Sequence, residues 1–379
     1  MSKTLLYHDT FLMRGGAERL NIEIAKTLDA DIATALWSPD CYNIHSMWFE
    51  WEIFEVYPRF KRWIIGFLIM KWRFFRSKNL LKNYDTVFFS NEAISGIWGV
   101  KPGTKTYYYA HSISRHLFDQ RDQYIAKVPF IIRPFFLIFS LFLKWLYKKE
   151  ISKIDTIFVN SETNKKRMSE WLGRDDAIIL YPSVDTEKFN IFDENSISQI
   201  LAIEWISSLY KEYYISFSRL THAKRIDTII RAFRQIPDKN LIILYGENDS
   251  QKDEFIELGK WFSNIVFHKL TNNNNLPSII NGALASICIS KNEDFGMVAI
   301  ESMACGVPVI AVNEWWYKET IIEAETWYLL DTDTLETTLV EHIKNTSIYT
   351  LQGMQYNCRK QSEKFSLKNM NTLIQEYIR

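Results

Sequence analysis

The sequence predicts an α/β protein with two domains, each built around a parallel β-sheet. Short apolar runs typical of buried strands alternate with amphipathic segments along most of the chain. The alternation occurs in two successive sets of similar size, and a length of 379 residues suits two domains better than one. We therefore expect two parallel sheets facing each other across a cleft lined by the carboxyl ends of their strands.

The first set opens with a strand at 3–9 and a helix at 15–28, which carries Leu20, Ile24 and Leu28 on one face. Its remaining buried strands are predicted at 32–37, 86–90, 105–111, 156–161 and 178–181. The set ends at a turn sequence rich in proline and aspartate, which gives a first domain of residues 1–189. Residues 190–212 show no strong periodicity and are predicted to be a linker.

The second set gives a domain of residues 213–360, followed by a last helical segment at 361–379. Its predicted strands are 213–217, 241–245, 265–268, 284–289 and 307–312. Helices are predicted between these strands at 225–234, 276–283 and 296–304.

Composition and charge are those of an ordinary soluble protein, with 47% hydrophobic residues and a formal net charge of zero. The chain has 13 tryptophans and only 13 glycines, which is unusual for an α/β protein with many tight turns. The cysteines show neither metal nor redox spacing and favour a reducing compartment. They are Cys41, Cys288, Cys305 and Cys358.

Two apolar segments raise the question of membrane contact. Residues 59–78 carry seven basic side chains and no acidic one, interleaved with aromatic and aliphatic residues. Such a segment is typical of a helix at an anionic membrane surface, and the alternative is a core helix with solvated ends. Residues 134–147 fall short of the length that a membrane span needs and predict a helix in the core or in the interface. The N-terminus predicts a buried strand and not a signal peptide.

The most informative stretch is residues 284–312, where a strand, a short loop, a helix and another strand follow one another. Glu293 lies on the loop at the carboxyl end of the strand, and Glu301 lies on the helix. Ligands of open parallel sheets bind at this edge, and the start of such a helix favours a phosphate. Carboxylates there suit the hydroxyl groups of a ribose or a sugar. The alternative is that both are ordinary surface charges.

Two cations follow the first strand of the same domain. Arg219 and Lys224 lie at the turn between strand and helix, where they could hold a diphosphate without a metal. The alternative is a pair of solvated turn charges. No spacing typical of a metal site, or of a Ser-His-Asp or Cys-His arrangement, is present in the sequence.

In the first domain, Gly15 and Gly16 open the first helix and allow a ligand to approach the backbone closely. The motif lacks the glycine spacing and the acidic residue of a nicotinamide dinucleotide site. His111 ends a buried strand and so points towards the predicted cleft. The alternatives are a plain tight turn and a core histidine.

Taken together, these motifs resemble the retaining glycosyltransferases of family 4, which have two Rossmann-like domains in the GT-B fold. The resemblance extends over nearly the whole chain. Its motifs are GGAER, AHSISRHLFD, FVNSE, YPSVDTEKF, SRLTHAKRIDTIIRAF and EDFGMVAIESMACGVPVIA.

The resemblance implies a role for each candidate residue. Glu301 is assigned to the ribose hydroxyls and Glu293 to the donor sugar, while Arg219 and Lys224 take the diphosphate. Phe295, Gly296, Met297 and Val298 are assigned to sugar and phosphate through their backbone N–H groups, and Gly15, Gly16 and His111 lie near the sugar from the other domain. It also implies that no metal or other cofactor is needed and that the last helix crosses back to the first domain.

The resemblance further implies a hexosyltransferase similar to the bacterial mannosyltransferases of surface-polysaccharide assembly. The donor it favours is GDP-mannose, and the acceptor is a glycan or a polyprenyl-diphosphate-linked sugar used in cell-envelope glycan synthesis. The expected location is cytoplasmic and peripheral, on the inner face of the cytoplasmic membrane, with contact through residues 59–78. No nucleic-acid partner is expected. A nucleotide-sugar epimerase of the same architecture is the alternative enzyme.

The chain departs from the family at several tryptophans. Trp315 and Trp316 occupy positions where the family usually has two glycines, and Trp327 replaces an expected glycine turn. Trp205 and Trp261 also lie in turn-like contexts. We hypothesise that some of these positions are glycine in the organism, encoded by UGA under a code that reads it as glycine. If Trp315 and Trp316 are real, an inactive protein that binds a membrane surface becomes the alternative function.

Overall fold

The structure, a computed structural model, describes residues 3–12, 15–38, 41–42, 51–53, 63–126, 128–246, 249, 251–291, 293, 295–314, 316–326 and 328–378. Of residues 51–53, 63–65 and 67 it describes the backbone alone. The chain divides into two compact units, one of residues 1–182 with 371–379 and the other of residues 183–370.

The first unit is built on a seven-stranded parallel sheet with strand order β3-β2-β1-β4-β5-β6-β7. Its strands are β1 Thr4–Phe11, β2 Asp31–Trp37, β3 Trp51–Ile53, β4 Thr86–Ser90, β5 Lys105–Ala110, β6 Thr156–Val159 and β7 Ile178–Ile179. Its helices are α1 Gly16–Leu28, α2 Trp63–Phe75, α3 Lys78–Leu81, α4 Arg121–Ala126, α5 Arg133–Ile151 and α6 Glu162–Leu172. Short 3₁₀ segments lie at Asn91–Gly99, Arg115–Leu117 and Phe130–Ile132.

The second unit repeats this plan with a six-stranded parallel sheet of order β10-β9-β8-β11-β12-β13. Its strands are β8 Tyr213–Ser216, β9 Asn240–Leu244, β10 Ile265–His268, β11 Ala285–Cys288, β12 Val309–Val312 and β13 Leu329–Leu330. Its first helices are α7 Glu194–Ile203, α8 Ile226–Arg234, α9 Lys252–Gly259 and α10 Leu276–Asn281. They are followed by α11 Met297–Ala304, α12 Tyr317–Thr320, α13 Leu335–Asn345, α14 Ile348–Gly353 and α15 Gln355–Glu363, with 3₁₀ segments at Ser207–Leu209, His222–Lys224 and Asn273–Asn275.

Both sheets reverse their strand order at one point, between β1 and β4 in the first unit and between β8 and β11 in the second. Parallel pairing aligns Leu5 with Val87 at the first of these points and Ser286 with Ile215 at the second. The strands at both points are almost entirely buried, as expected for parallel sheets covered on both faces. The predicted α/β class, with two Rossmann-like domains, is confirmed, and every predicted strand is present.

The segment predicted to be a linker, residues 190–212, lies inside the second unit and contains α7. The Asp193 side chain caps this helix by accepting a hydrogen bond from the Ser196 N–H at 2.9 Å. Ile197 and Leu201 are buried, so the segment contributes to the core of this unit. The short apolar face, only two residues wide, explains why no periodicity was evident.

The last helix, α16 Leu367–Ile378, ends the chain, and its residues from 371 onwards belong to the first unit. The Thr27 hydroxyl donates to Asn371 Oδ1 at 2.7 Å, and the Tyr107 hydroxyl donates to the Tyr377 carbonyl at 3.3 Å. The sequence placed this change of domain at residue 361, and the structure places it ten residues later, within the helix.

The apolar segment at 134–147 forms most of α5, and its outer face is exposed. The core-helix interpretation of this segment is therefore wrong. Within the described residues, the stretch Phe130–Ile151 is the one long and apolar enough to cross a membrane, and 17% of its apolar window is buried.

Candidate functional site

Three loops meet at the carboxyl edge of the second sheet, after β8, β11 and β12. The Lys291 N–H donates to the Ala223 carbonyl at 2.7 Å, which ties the loop after β11 to the loop after β8. Arg225 donates to the Ile289 carbonyl at 3.2 Å and pairs with Glu314 of the third loop, also at 3.2 Å. The reversal of strand order between β8 and β11 opens the crevice in which such sheets bind ligands.

Lys224 and Glu293, both predicted as site residues, are in direct contact here. The Lys224 ammonium donates to a carboxylate oxygen of Glu293. Their side chains are 17% and 19% exposed, so the pair is accessible to a ligand yet partly shielded from water. In the absence of a ligand, the ion pair holds both side chains at the sheet edge. An anionic ligand group can replace Glu293 as the partner of Lys224, and a cationic group can replace Lys224 as the partner of Glu293.

Arg219 lies on the same loop as Lys224 and is exposed. A backbone hydrogen bond of 2.9 Å from the Thr221 N–H to the Arg219 carbonyl tightens the loop between them. The turn therefore carries two cations at the carboxyl end of β8, as the sequence predicts.

The helix α11 begins beside this pair, with Gly296 as its N-cap in an extended conformation. Gly296 has no side chain to cap the first turn, which leaves the backbone N–H groups at the start of the helix available to an anion. Met297 and Val298 form the first turn and are half-buried, and Phe295 precedes them. This is the predicted arrangement of residues 295–298.

Glu301 lies farther along α11 and is 8% exposed. The alternative that this glutamate is a surface helix residue is therefore wrong. A buried carboxylate on the helix that opens the site is suited to accept hydrogen bonds from paired hydroxyl groups.

Trp316 fills the space next to this helix start. Its ring stacks on Phe295 with centroids 4.7 Å apart, and its Cζ2 lies 2.5 Å from where a Cβ on Gly296 would be. The side chain is 1% exposed, and its indole N–H has no hydrogen-bond partner within the described part of the chain. Trp315 and Trp327 lie outside the described residues.

In the first unit, His111 follows β5 and belongs to a buried polar cluster at the carboxyl edge of the sheet. Asn21 of α1 links its Nε2 to Nδ1 of His8, at 3.0 and 3.1 Å. Burial lowers the pKa of His8 to about 4 and lowers the pKa of His111 well below its usual value, with His8 adding to the second shift. Both imidazoles are therefore neutral near pH 7, so His111 acts through hydrogen bonds rather than positive charge.

Gly15 and Gly16 start α1, the helix that carries Asn21. Gly15 is the N-cap in an extended conformation, and a Cβ at this position would overlap the Glu18 carboxylate. Gly15 thus leaves room for the Glu18 carboxylate beside the start of α1.

A second group of charges at this edge, which was not predicted, is formed by Asp9, Glu92 and Lys71. Burial, reinforced by Glu92, raises the pKa of Asp9 to about 7. Burial also works to raise the pKa of Glu92, but Lys71 at 2.8 Å outweighs it and holds that pKa below its usual value. Asp9 lies near the carboxyl end of β1, inside the predicted strand 3–9, and that position is the signal that could have identified it.

Metal-binding groups of three or more His, Cys, Asp or Glu side chains are absent from the described part of the chain. A cavity of about 430 Å³ opens at the amino edge of the second sheet, beside Leu284 and Val307, where these strands begin. It lies at the opposite edge from the charged residues described above and contains none of them.

Comparison with known proteins places these features in context. Residues 204–365 match the family described as "Glycosyl transferases group 1". The mouse "Alpha-1,3/1,6-mannosyltransferase ALG2" is 23% identical over 62% of this chain and 60% of its own length. The "D-inositol 3-phosphate glycosyltransferase" of Mycobacterium bovis BCG is 25% identical over 42% of this chain and 34% of its own length. The chain thus aligns with less than two thirds of either relative.

Solved structures match over almost their full length. Anabaena Alr3699/HepE, in complex with UDP and glucose, superimposes with a TM-score of 0.78 at 18% identity, over 100% of this chain and 99% of its own. WaaG, a glycosyltransferase of lipopolysaccharide biosynthesis, superimposes with a TM-score of 0.69 at 14% identity, over 99% of both chains. At these identities the similarity establishes the fold alone. With the family match and the relatives, it confirms the resemblance to family 4 glycosyltransferases of the GT-B fold.

Proposed function

We propose that this family 4-like chain of the GT-B fold transfers a hexose from a nucleotide-diphosphate sugar to a lipid-linked or polysaccharide acceptor in cell-envelope glycan synthesis. The proposed reaction retains the anomeric configuration and needs no metal. The observation that carries the proposal is the pair of Lys224 and Glu293 beside the start of α11. At one sheet edge, a cation and the N–H groups of a helix start can bind the diphosphate of a nucleotide sugar, and a carboxylate can bind the hydroxyl groups of the sugar.

The diphosphate end of the donor is assigned to Arg219, Lys224 and the first turn of α11. When the bond between the sugar and the phosphate breaks, negative charge develops on the diphosphate leaving group. Two cations and the positive end of a helix stabilise that charge most strongly in the transition state, which is the requirement for catalysis. In this mechanism Lys224 exchanges Glu293 for the phosphate when the donor binds.

The sugar end of the donor is assigned to Glu293, which gains hydroxyl groups as partners in place of Lys224. Glu301, buried in α11, is assigned to the ribose hydroxyls. We favour attack of the acceptor hydroxyl from the face that the leaving group occupies, because the sequence offers no obvious nucleophile for a covalent intermediate. That route retains the configuration.

The acceptor is assigned to the first unit. His111, as a catalytic residue, and Gly15 and Gly16, as donor-binding residues, lie at the carboxyl edge of its sheet and keep the roles near the donor sugar that the resemblance implies. His111 is neutral, and because the Asn21 amide nitrogen donates to its Nε2, its Nδ1 carries the proton and can donate a hydrogen bond to an oxygen of the substrate. Asp9, with its raised pKa, is a further hydrogen-bonding group at the same edge.

The choice of GDP-mannose and of a cytoplasmic, membrane-peripheral location rests on sequence resemblance. The name of the mouse relative supports mannose, whereas the Anabaena structure holds UDP and glucose. The donor base and sugar are therefore best treated as variables in the experiment. Metal-independent transfer remains a prediction.

One observation favours the alternative of an inactive, membrane-binding protein. Trp316 occupies the space beside Gly296 that a donor sugar or phosphate would need in order to reach the start of α11. A chain with tryptophan at this position is expected to bind the donor more weakly than a chain with glycine.

The test is a donor screen with GDP-mannose, UDP-glucose and UDP-N-acetylglucosamine, measuring both binding and transfer or hydrolysis. We expect one donor to be consumed, and Glu293→Gln to lower kcat/KM about 100-fold or more through lost transition-state stabilisation. Glu325→Gln, an exposed carboxylate in the same unit, is the matched control and should leave the rate unchanged. NMR of the product should show the retained anomer.

Absence of binding to every nucleotide sugar, in both the tryptophan chain and a Trp316→Gly variant, would refute a transferase function. An inverted anomeric centre would refute the retaining mechanism while leaving transfer intact.

A further inference from the structure

The helix α5 turns a strip of large apolar side chains outwards from the first unit. Phe135 is 74% exposed, Ile138 is 67% exposed, and Leu141, Phe142 and Trp145 are each about half exposed. Their spacing of three and four residues places them along one face of the helix. Helices on soluble domains normally bury such a face, so its exposure indicates an interaction surface for a protein or a membrane.

The opposite face of α5 is fixed to the domain by polar as well as apolar contacts. The Tyr147 hydroxyl lies 3.1 Å from the Tyr108 hydroxyl, and the Glu150 carboxylate accepts from Ser95 Oγ at 2.7 Å. Lys71 of α2 lies 3.7 Å from the same carboxylate. These contacts hold the helix flat on the domain, so its length and hydropathy do not make it a membrane span while the domain is folded.

Neighbouring segments extend the strip. Phe130 and Ile131, in the 3₁₀ turn before α5, are more than 80% exposed. Trp72 and Phe75 of α2 are also more than half exposed, and α2 and α5 both pack on the 3₁₀ segment Asn91–Gly99. The whole set, Phe130, Ile131, Phe135, Ile138, Leu141, Phe142 and Trp145, with Trp72 and Phe75 of α2, is called the apolar strip.

The exposed charges that α5 and residues 72–76 place beside the apolar strip are basic. Lys148 and Lys149 are exposed at the last turn of α5, and Arg73 and Arg76 flank Trp72 and Phe75. The single acidic residue of α5, Glu150, is fully buried on the inner face. An apolar face with cations at its edge matches a bilayer interface that contains anionic lipids.

A protein partner is a poorer match for this surface. Protein interfaces carry about one hydrogen bond per 100–200 Å² and a polar rim. Among the side chains of the apolar strip, the indoles of Trp72 and Trp145 are the only hydrogen-bonding groups. The hydrocarbon region of a bilayer forms no hydrogen bonds, so a protein surface that contacts it needs no hydrogen-bonding groups.

We propose that the apolar strip is a membrane-docking surface, which lies in the interface of a bilayer with anionic lipids while Lys148 and Lys149 contact the headgroups. It overlaps the predicted contact through residues 59–78 at Trp72 and Phe75 and adds the exposed face of α5, whereas Lys71 of that segment faces inwards to Glu92 and Glu150. Residues 59–62 of the segment lie outside the described residues. Docking requires neither a donor nor transfer, so it can succeed or fail separately from the proposed reaction.

The test uses the full chain with the substitution Ile138→Cys. A fluorescent label whose emission depends on the polarity of its surroundings is attached to the introduced thiol. The four natural cysteines are buried, so the introduced thiol is the one that reacts readily. We expect the label to report an apolar environment on vesicles of phosphatidylcholine with phosphatidylglycerol. The same label at Tyr349→Cys, an 86% exposed aromatic position in the second unit, should not respond.

Vesicle sedimentation then identifies the side chains responsible. Phe135→Ser with Ile138→Ser and Phe142→Ser should weaken binding at least about tenfold, whereas Tyr349→Ser with Tyr356→Ser, an equally exposed control pair, should not. Lys148→Glu with Lys149→Glu should weaken binding to the anionic vesicles by about tenfold or more.

Equal loss of binding in the control pair, or no binding of the wild-type chain to these vesicles, would overturn the proposal. It would also be overturned by a concentration-dependent dimer in gel filtration that the triple serine variant abolishes, because a second copy of the chain would then cover the strip.

Discussion

At the residue scale, two tryptophans occupy positions whose surroundings suit glycine. Trp205 ends α7 in the left-handed conformation, with φ of 60°, and is 90% exposed. The Ile206 N–H donates to the Leu201 carbonyl and the Trp205 N–H to the Ala202 carbonyl, which is the pattern of a helix end that usually has glycine at this position. Trp316 presents a different case, because it is buried against Gly296 and its indole N–H has no hydrogen-bond partner among the residues that the structure describes. The Trp316 ring stacks on Phe295, whereas the exposed Trp205 ring gains no burial that would offset its left-handed conformation.

Replacing Trp205 by glycine should stabilise the protein. The left-handed conformation costs a residue with a Cβ about 1–2 kcal/mol, part of which the greater freedom of glycine in the unfolded chain offsets. We expect a net gain of about 1 kcal/mol in the free energy of unfolding, measured by urea denaturation. Trp261→Gly is the control, since Trp261 is 80% exposed but is not among the residues with positive φ, and it should give no gain.

The genetic code gives an independent check of the same idea. UGA codons at 205 and 316 would mean that the organism inserts glycine there, and UGG codons would refute it. A loss of stability in Trp205→Gly would equally contradict the structural argument.

At the element scale, the strands and the loops after β8 and β11 were predictable, whereas the placement of helix faces was not. Strands buried on both sides give continuous apolar runs, and the site residues Lys224 and Glu293 lie on the loops that follow two such runs. The outward face of α5 was not predictable, because an apolar helix has the same sequence pattern whether the apolar face meets the core or the outside. The pairing of Lys71 with Glu92 and Glu150 depends on contacts between distant segments, so no local pattern could reveal it.

Glu204 shows how one such contact holds several elements together. This fully buried carboxylate at the end of α7 accepts from His268 Nε2 at 2.9 Å, Thr271 Oγ1 at 2.7 Å and Asn275 Nδ2 at 2.6 Å. Burial works to raise its pKa, but the hydrogen bonds outweigh it and lower the pKa to about 2. The carboxylate therefore joins α7 to β10 and to the loop that leads into α10.

Glu204→Gln should destabilise the protein by about 1–3 kcal/mol at pH 7, because the amide cannot accept all of these donors. The pKa of a free glutamate lies above the folded value, so the stability that the carboxylate gives is complete above about pH 4.5 and is lost as the pH falls towards about 2. Urea denaturation at pH 7 and at lower pH should show the difference from wild type narrowing on acidification. Glu212→Gln, an exposed control, should match wild type throughout. A difference independent of pH would contradict the role of the charge.

At the scale of the whole molecule, the sequence predicted two α/β units but set their boundaries by turn composition. The structure sets them by packing, so residues 190–212 join the second unit and the change of unit near the end occurs at residue 371. The last nine residues belong to the first unit, although the rest of that unit consists of residues 1–182. Residues from 371 onwards pack against parts of the first unit that are far away in the sequence. Local sequence patterns cannot predict such contacts.

This arrangement predicts that a change near the C-terminus weakens the first unit. Ile374 is fully buried in α16, and the Tyr377 ring contacts Phe158 of β6 with centroids 5.9 Å apart. Ile374→Ser should cost about 2–5 kcal/mol, as for large-to-small changes in a core. Hydrogen exchange should accelerate in β5 and β6, while the amides of β11 and β12 keep the protection they have in wild type. Glu376→Ala, an exposed change on the same helix, is the control. Faster exchange in the second sheet alone would show that the helix end stabilises the other unit, and the division of the chain at residue 371 would then be wrong.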